Sequence, residues 1–275
     1  MILGLDFWWF MPQWEARPFE EVPPTSGSYN YGFESLKKPW SWLLDGKLSP
    51  AESAAPLLGP FGHGFRAGRY GIMAQQTDDG FGPDGSWYYT ADITGQKRPF
   101  DYQFSDTLSQ VRHGIKAFYR AKPGQTGPSE EHLDAFAEIY CRLKARGIQT
   151  FVFIAPLSER VLTAMREHER DYPHLFALRD ALLARGIDVL DCTDPRAFAS
   201  NDCEFIDGFH GGEVTYARIL RAMAVRWPAL LSYVNMERLN AAIRDWQGHA
   251  LVPDERLTNL PETDFMRFGC SKRQP

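Results

Sequence analysis

Hydrophobic and polar positions alternate in the same way at two places in the chain. From Ser129, Leu133, Phe136, Tyr140 and Leu143 recur at helical spacing, with Glu130 and Glu131 in the first turn and Ser129 as N-cap. Ala145-Arg146-Gly147-Ile148 then closes the segment and opens an apolar run, TFVFIA, over residues 150 to 155. The same four letters return as Ala184-Arg185-Gly186-Ile187, at the end of LFALRDALLARG and before DVLDC at 188 to 192. In both copies the glycine suits the left-handed position that ends a helix. TFVFIA is apolar throughout, as a strand buried on both faces should be. A third helix follows Gly211 and Gly212, carrying Val214, Ile219, Leu220 and Met223. Residues 2 to 9 read as one more buried strand, ending in an acidic and aromatic tip. Strands alternating with helices predict an α/β fold around a parallel sheet.

Residues 10 to 105 break this rhythm. They hold PQW, KKPWSW and FGPDGSWYY, with helices expected near 34 to 45 and 50 to 58 and a Pro-Asp-Gly turn at 83 to 85. This span reads as an irregular, aromatic-rich insertion or lid on the α/β core of a single domain. Residues 106 to 252 form the core, and 253 to 275 a polar, loosely docked tail. Trp40, Trp42, Trp87, Tyr88 and Tyr89 suit two roles, stacking on sugar rings or filling the insertion's own small core. Three strands are few where sheets usually hold about five. The first begins at the second residue, so it is either an edge strand or the second strand of a fold whose beginning lies outside this sequence.

Composition narrows the function. At 275 residues the chain can bury a full core, and its apolar share of 44% and charged share of 24% are ordinary. A net charge of -5 argues against a nucleic-acid partner, which needs a basic face. No apolar run approaches about 20 residues, so no transmembrane segment is expected. MILGLDFWWF is a poor signal peptide, lacking a basic start and a small-residue cleavage site. Cysteines 141, 192, 203 and 270 form no Cys-x-x-Cys pair, which favours neither disulfides nor zinc. A metal cluster of Cys192, Cys203, Asp207 and His210 fits no common ligand spacing. Walker, dinucleotide-binding and His-Glu-x-x-His motifs are missing from the sequence, so no cofactor is expected.

The segment with chemistry is FIDGFHGGEVTYARIL, residues 205 to 220. Asp207 stands three residues before His210, the spacing of an acid–base pair in which the acid orients the imidazole of the base. The pair follows the last apolar run and precedes a helix whose positive end would favour neutral imidazole. Spacing alone is weak, because an aspartate before a helix is often only a cap. Asp6 ends the first strand at the edge where open α/β sheets place their sites, and either orients substrate or caps the next turn. Ser158, in APLSE after the second strand, is a substitute nucleophile or substrate contact, or else an N-cap. Trp87 is the aromatic candidate for substrate binding. His63, in the loop GPFGHGF, either reaches a site or is simply solvated.

FIDGFHGGEVTYARIL resembles the last block of SGNH-type hydrolases, where Asp-x-x-His supplies the acid and base of a Ser-His-Asp triad. LGLDFWWF, SWLLDGKLSPAESAAPLLG and GIQTFVFIAPLSE resemble further blocks of the SGNH-like proteins of bacterial envelope polysaccharide pathways, relatives in fold of alginate O-acetyltransferases. The resemblance spans most of residues 2 to 225 and implies a three-layer SGNH/flavodoxin-like core. It also implies an esterase or O-acetyltransferase acting on a glycan or acyl-ester substrate, with an envelope or periplasmic setting and a possible exopolysaccharide-biosynthesis partner. In that family the nucleophilic serine block precedes the GLDF-type strand, which here begins at residue 4. The nucleophile is therefore expected outside this sequence, the chain being truncated or incomplete at its front. This reading places Asp207 beside His210 and leaves an open edge along the first strand. The alternative is a catalytically degenerate protein that binds glycan through the insertion or scaffolds a complex. It expects a covered first strand and glycan affinity lost on Trp87→Ala.

Overall fold

The computed structural model describes residues 1–12 and 119–252, and 262–272 apart from 263 and 267. It adds the backbone of two short strands and isolated helical positions between residues 40 and 50. The chain divides into two compact units, Met1–Ala16 with Tyr102–Pro275, and Arg17–Asp101. In the second unit β2 (Gly80–Phe81) pairs antiparallel with β3 (Trp87–Tyr88); the expected Pro-Asp-Gly turn at 83 to 85 lies outside the described residues. The expected helices at 34 to 45 and 50 to 58 lie largely outside the described residues.

The first unit holds a parallel sheet in the order β1-β4-β5, from Ile2–Leu5, Phe151–Ile154 and Val189–Asp191. Gly4 pairs with Phe153 and Ile154 with Asp191. The central strand β4 is buried along its whole length. Val152 and Ile154 enter one apolar cluster, while Phe151 and Phe153 enter another on the opposite face. The first cluster takes Leu133 and Tyr140 from α1 (Glu130–Ala145), Val161 and Met165 from α2 (Glu159–Glu167), and Leu178 and Leu182 from α4 (Leu178–Ala184). Between α2 and α4 lies the single turn α3 (Pro173–Phe176). The second cluster takes Ile219 and Met223 from α5 (Glu213–Arg226); α6 (Met236–Asp245) packs against α5.

The repeated four-residue words are helix stops of one design. After α1, Gly147 N–H donates to Lys144 and Ile148 N–H to Leu143; after α4, Gly186 N–H donates to Leu183 and Ile187 N–H to Leu182. Both are paired 5→2 and 6→1 bonds closed by a left-handed glycine, with φ of 73° at Gly147 and 71° at Gly186. Ser129 caps α1 as expected.

Two expectations change. The first strand is shorter than residues 2 to 9 and is not buried throughout. Among the described residues it forms one edge of the sheet, Ile2 is 44% exposed, and Leu5 alone of the four is buried. The chain then tightens into a 3-10 turn, Phe7–Phe10, which is what buries Phe7 and Phe10. Nor is the tail loose where it is described. Cys270 forms a disulfide with Cys203, Met266 is core, and Lys272 and Glu262 make a buried ion pair of 2.5 Å. Lys272 reads as solvated in the sequence because its backbone partners, the carbonyls of Cys203 and Gly248, lie 69 and 24 residues upstream.

Candidate active site

The carboxyl edges of β1 and β4 converge on the Asp-x-x-His segment. Residues 205 to 211 form a narrow loop, bridged between Phe205 and Gly211 and closed by Ile206 N–H donating to the His210 carbonyl at 2.9 Å. Ser158 N–H, just beyond β4, donates to the Gly208 carbonyl at 2.8 Å and ties the loop to the sheet edge. Gly208 turns at φ 87°, a conformation that excludes most side chains. Gly211 and Gly212 are small for a different reason. A β-carbon on Gly212 would fall 2.1 Å from the Ala250 carbonyl oxygen, and one on Gly211 would fall 2.8 Å from the Thr215 methyl.

Asp207 is buried and uses both carboxylate oxygens inward. Oδ1 accepts from the backbone N–H of Phe209 at 3.1 Å and of His210 at 2.9 Å. Oδ2 accepts from His210 Nδ1 at 2.7 Å. An ionised carboxylate only accepts, so Nδ1 carries the proton and Nε2 presents its lone pair when the ring is neutral. Among the described residues none hydrogen-bonds Nε2, and the imidazole is 59% exposed.

The hydrogen bond to Asp207 raises the His210 pKa above its ordinary 6.5; burial opposes this, and the charges of Asp207 and Asp6 add to it. The helix end is expected to favour neutral imidazole; the direction is instead upward, and its largest cause is the hydrogen bond to the Asp207 carboxylate. Asp6 feels the same neighbour. Burial raises its carboxyl pKa, and the His210 charge pulls it back. Asp6 stands at the N-cap of the 3-10 turn, but its side chain makes no cap bond. The cap reading of Asp6 is therefore not supported, and what links it to His210 is charge.

Ser158 is also brought to this edge, but its hydroxyl faces inward. It is fully buried and caps α2 by accepting from Val161 N–H at 3.4 Å. As an acceptor in a closed cap it presents nothing to a substrate, so the cap reading displaces the nucleophile reading. The side chain of Trp87 and the whole of His63 lie outside the described residues. Of the other insertion aromatics, Trp40 is 64% exposed. The metal reading fails on its own residues. Cys203 is spent in the disulfide, and burial pushes the Cys192 thiol up to about 12, far from the thiolate a metal needs.

Sequence reasoning missed an aromatic wall and a buried ion pair. Trp8 stacks on Tyr119 with centroids 4.6 Å apart and planes at 16°, and the Phe209 ring meets both edge-on at 5.8 and 5.6 Å. Phe209 directly precedes His210 in the chain and its ring turns into the core. The ion pair is Arg218 with Glu204, both buried, below the loop. The aromatic tip after β1 hinted at the wall; nothing local marks Glu204.

No family model, curated protein or solved structure matches this chain.

Proposed function

We propose that this chain carries an SGNH-type acid–base pair serving acyl transfer on an acylated saccharide, as ester hydrolysis or as O-acyl transfer to a glycan hydroxyl. The observation that carries the reading is the 2.7 Å bond from His210 Nδ1 to a buried, backbone-locked Asp207, with the exposed ring offering Nε2 outward. A parallel sheet with apolar clusters on both faces, and a site at its carboxyl edge, supports a three-layer SGNH-type core. The Cys203–Cys270 disulfide supports an oxidising compartment such as the periplasm.

His210 Nε2 takes the proton of a hydroxyl as that oxygen attacks the acyl carbonyl, and Asp207 stabilises the imidazolium that forms. As the tetrahedral intermediate collapses, imidazolium returns the proton to the departing sugar oxygen. If the attacking hydroxyl is a serine, a second round releases the acyl group, with water or an acceptor hydroxyl deprotonated in its turn. Of the described serines, none is hydrogen-bonded to His210. A fluorophosphonate probe on the protein purified from its native locus tests for the nucleophile, read by peptide mass and paired with an acetyl-ester hydrolysis assay. The reading expects one serine labelled, with labelling and hydrolysis both lost in His210→Ala. An unlabelled protein whose background hydrolysis is equal in wild type and His210→Ala would leave a non-catalytic glycan-binding or scaffold role.

A further inference from the structure

The carboxylate of Glu204 is fully buried, and every direction from which it can accept a hydrogen bond is filled. Arg218 donates through Nε to Oε2 and through Nη2 to Oε1, both at 2.9 Å. Ser200 Oγ lies 2.8 Å from Oε2, and Gly248 N–H donates to Oε1 at 3.0 Å. Those are the approximately four acceptor sites a carboxylate has. The backbone carbonyl of the same residue is also taken, by Gly212 N–H at 2.8 Å and Thr215 Oγ at 2.9 Å.

Stability is a weak reason for this arrangement. A buried ion pair roughly cancels its own desolvation, and apolar groups of equal volume often do as well or better. What the arrangement supplies is position. Glu204 and Gly212 are the residues just outside the bridged loop 205 to 211, so fixing Glu204 fixes both feet of the loop at once. Arg218 holds it from α5, Ser200 from the turn before it, and Gly248 from beyond α6. Gly248 is itself held, since Lys272 Nζ donates to its carbonyl at 3.1 Å and to the Cys203 carbonyl at 2.6 Å. The supports therefore come from three separate parts of the sequence.

We infer that Glu204, clamped by Arg218 and Thr215, is a positioning residue that sets the Asp207–His210 hydrogen bond. It touches neither substrate nor the reacting atoms. The inference rests on the proposed acyl-transfer reading for its importance, but not for its test. Among the described residues the groups whose charge reaches His210 are Asp207 and Asp6, and neither is altered by changing Glu204.

The test is the His210 imidazole titration, followed by NMR in the full chain, alongside acetyl-ester hydrolysis. A Glu204→Met/Arg218→Met double variant replaces the pair with apolar groups of similar volume. Thr215→Val removes one hydroxyl without changing shape, and Thr215→Ser restores it. The inference expects wild type to titrate above the ordinary histidine value. It expects the double variant and Thr215→Val to fold yet lose that elevation, as Asp207→Asn does, while Thr215→Ser regains it. Where hydrolysis is measurable, kcat/KM should fall about 100-fold, the size expected of a small misplacement of a catalytic group. If the double variant does not fold, the Thr215 pair decides. Folded variants that keep the wild-type His210 titration would overturn the inference. A titration that moves as expected in a protein without acyl-transfer activity would sustain the positioning role and defeat the proposed function.

Discussion

His174 gives the stability of this fold a pH dependence that can be worked out in advance. It lies in α3, fully buried and stacked on Phe7 at 5.6 Å, behind the turn that carries Trp8. Neither ring nitrogen makes a well-formed hydrogen bond. Burial lowers its pKa from 6.5 to about 4, and a weaker backbone interaction with Tyr119 acts in the other direction. Between those two values the unfolded chain binds a proton that the folded chain refuses. Stability from this residue is therefore complete above 6.5 and is lost as the pH falls toward 4. At about 1.4 kcal/mol per pH unit the loss is about 1.4 kcal/mol at pH 5.5 and about 3 kcal/mol at pH 4. His174→Phe keeps the stack on Phe7 and removes the titration. It should match or exceed wild type at pH 7, because no buried ring nitrogen is left unpaired. The measurement is urea unfolding at pH 7, 5.5 and 4, read by hydrogen exchange at the amides of α4. The difference between wild type and variant isolates His174 from the carboxylates, which titrate in both. Equal pH dependence in the two proteins would refute the reasoning and show that the ring is solvated or paired.

Two further outcomes follow from close contacts and cross-links. Cys203 and Cys270 are 67 residues apart, and closing a loop of that length stabilises by about 4 kcal/mol on a chain-entropy estimate. Cys203→Ser/Cys270→Ser should lose a large part of that in thermal unfolding, and an unchanged Tm would show the cross-link to be idle. Gly212→Ala forces a β-carbon onto the Ala250 carbonyl. It should cost about 3 kcal/mol, at the upper end for overpacking, and expose the 250–252 amides to hydrogen exchange. Wild-type protection there would contradict the contact.

The parts of this structure that could be read in the sequence are those written locally. An unbroken apolar run gave β4, a capping serine and two glutamates gave the start of α1, and the repeated Ala-Arg-Gly-Ile gave both helix stops. Asp207 and His210 were legible because they stand three positions apart and one tight loop joins them. What escaped depends on distant partners. Nothing in ILGL tells an edge strand from a central one. The pairing of Cys203 with Cys270 and of Glu262 with Lys272 is decided by where the carboxy-terminal segment docks. Glu204 and Arg218 stand fourteen residues apart, linked by no motif, and only the folded chain brings them under the loop. Ser158 was ambiguous for a reason of its own, since a serine between strand and helix suits an N-cap as well as a nucleophile.

The central claim is that Asp207 tunes His210 as the base of an acyl-transfer site. The direct measurement is the pH dependence of kcat/KM for an acetyl ester, in wild type and Asp207→Asn, using the protein from its native locus. The base must be neutral to act, so the account predicts a rate that climbs with pH through a midpoint above the ordinary histidine value. Asp207→Asn should lower both the midpoint and the plateau, the plateau by up to about 10,000-fold, as for loss of a triad acid. A midpoint and plateau unmoved by Asp207→Asn would contradict the account.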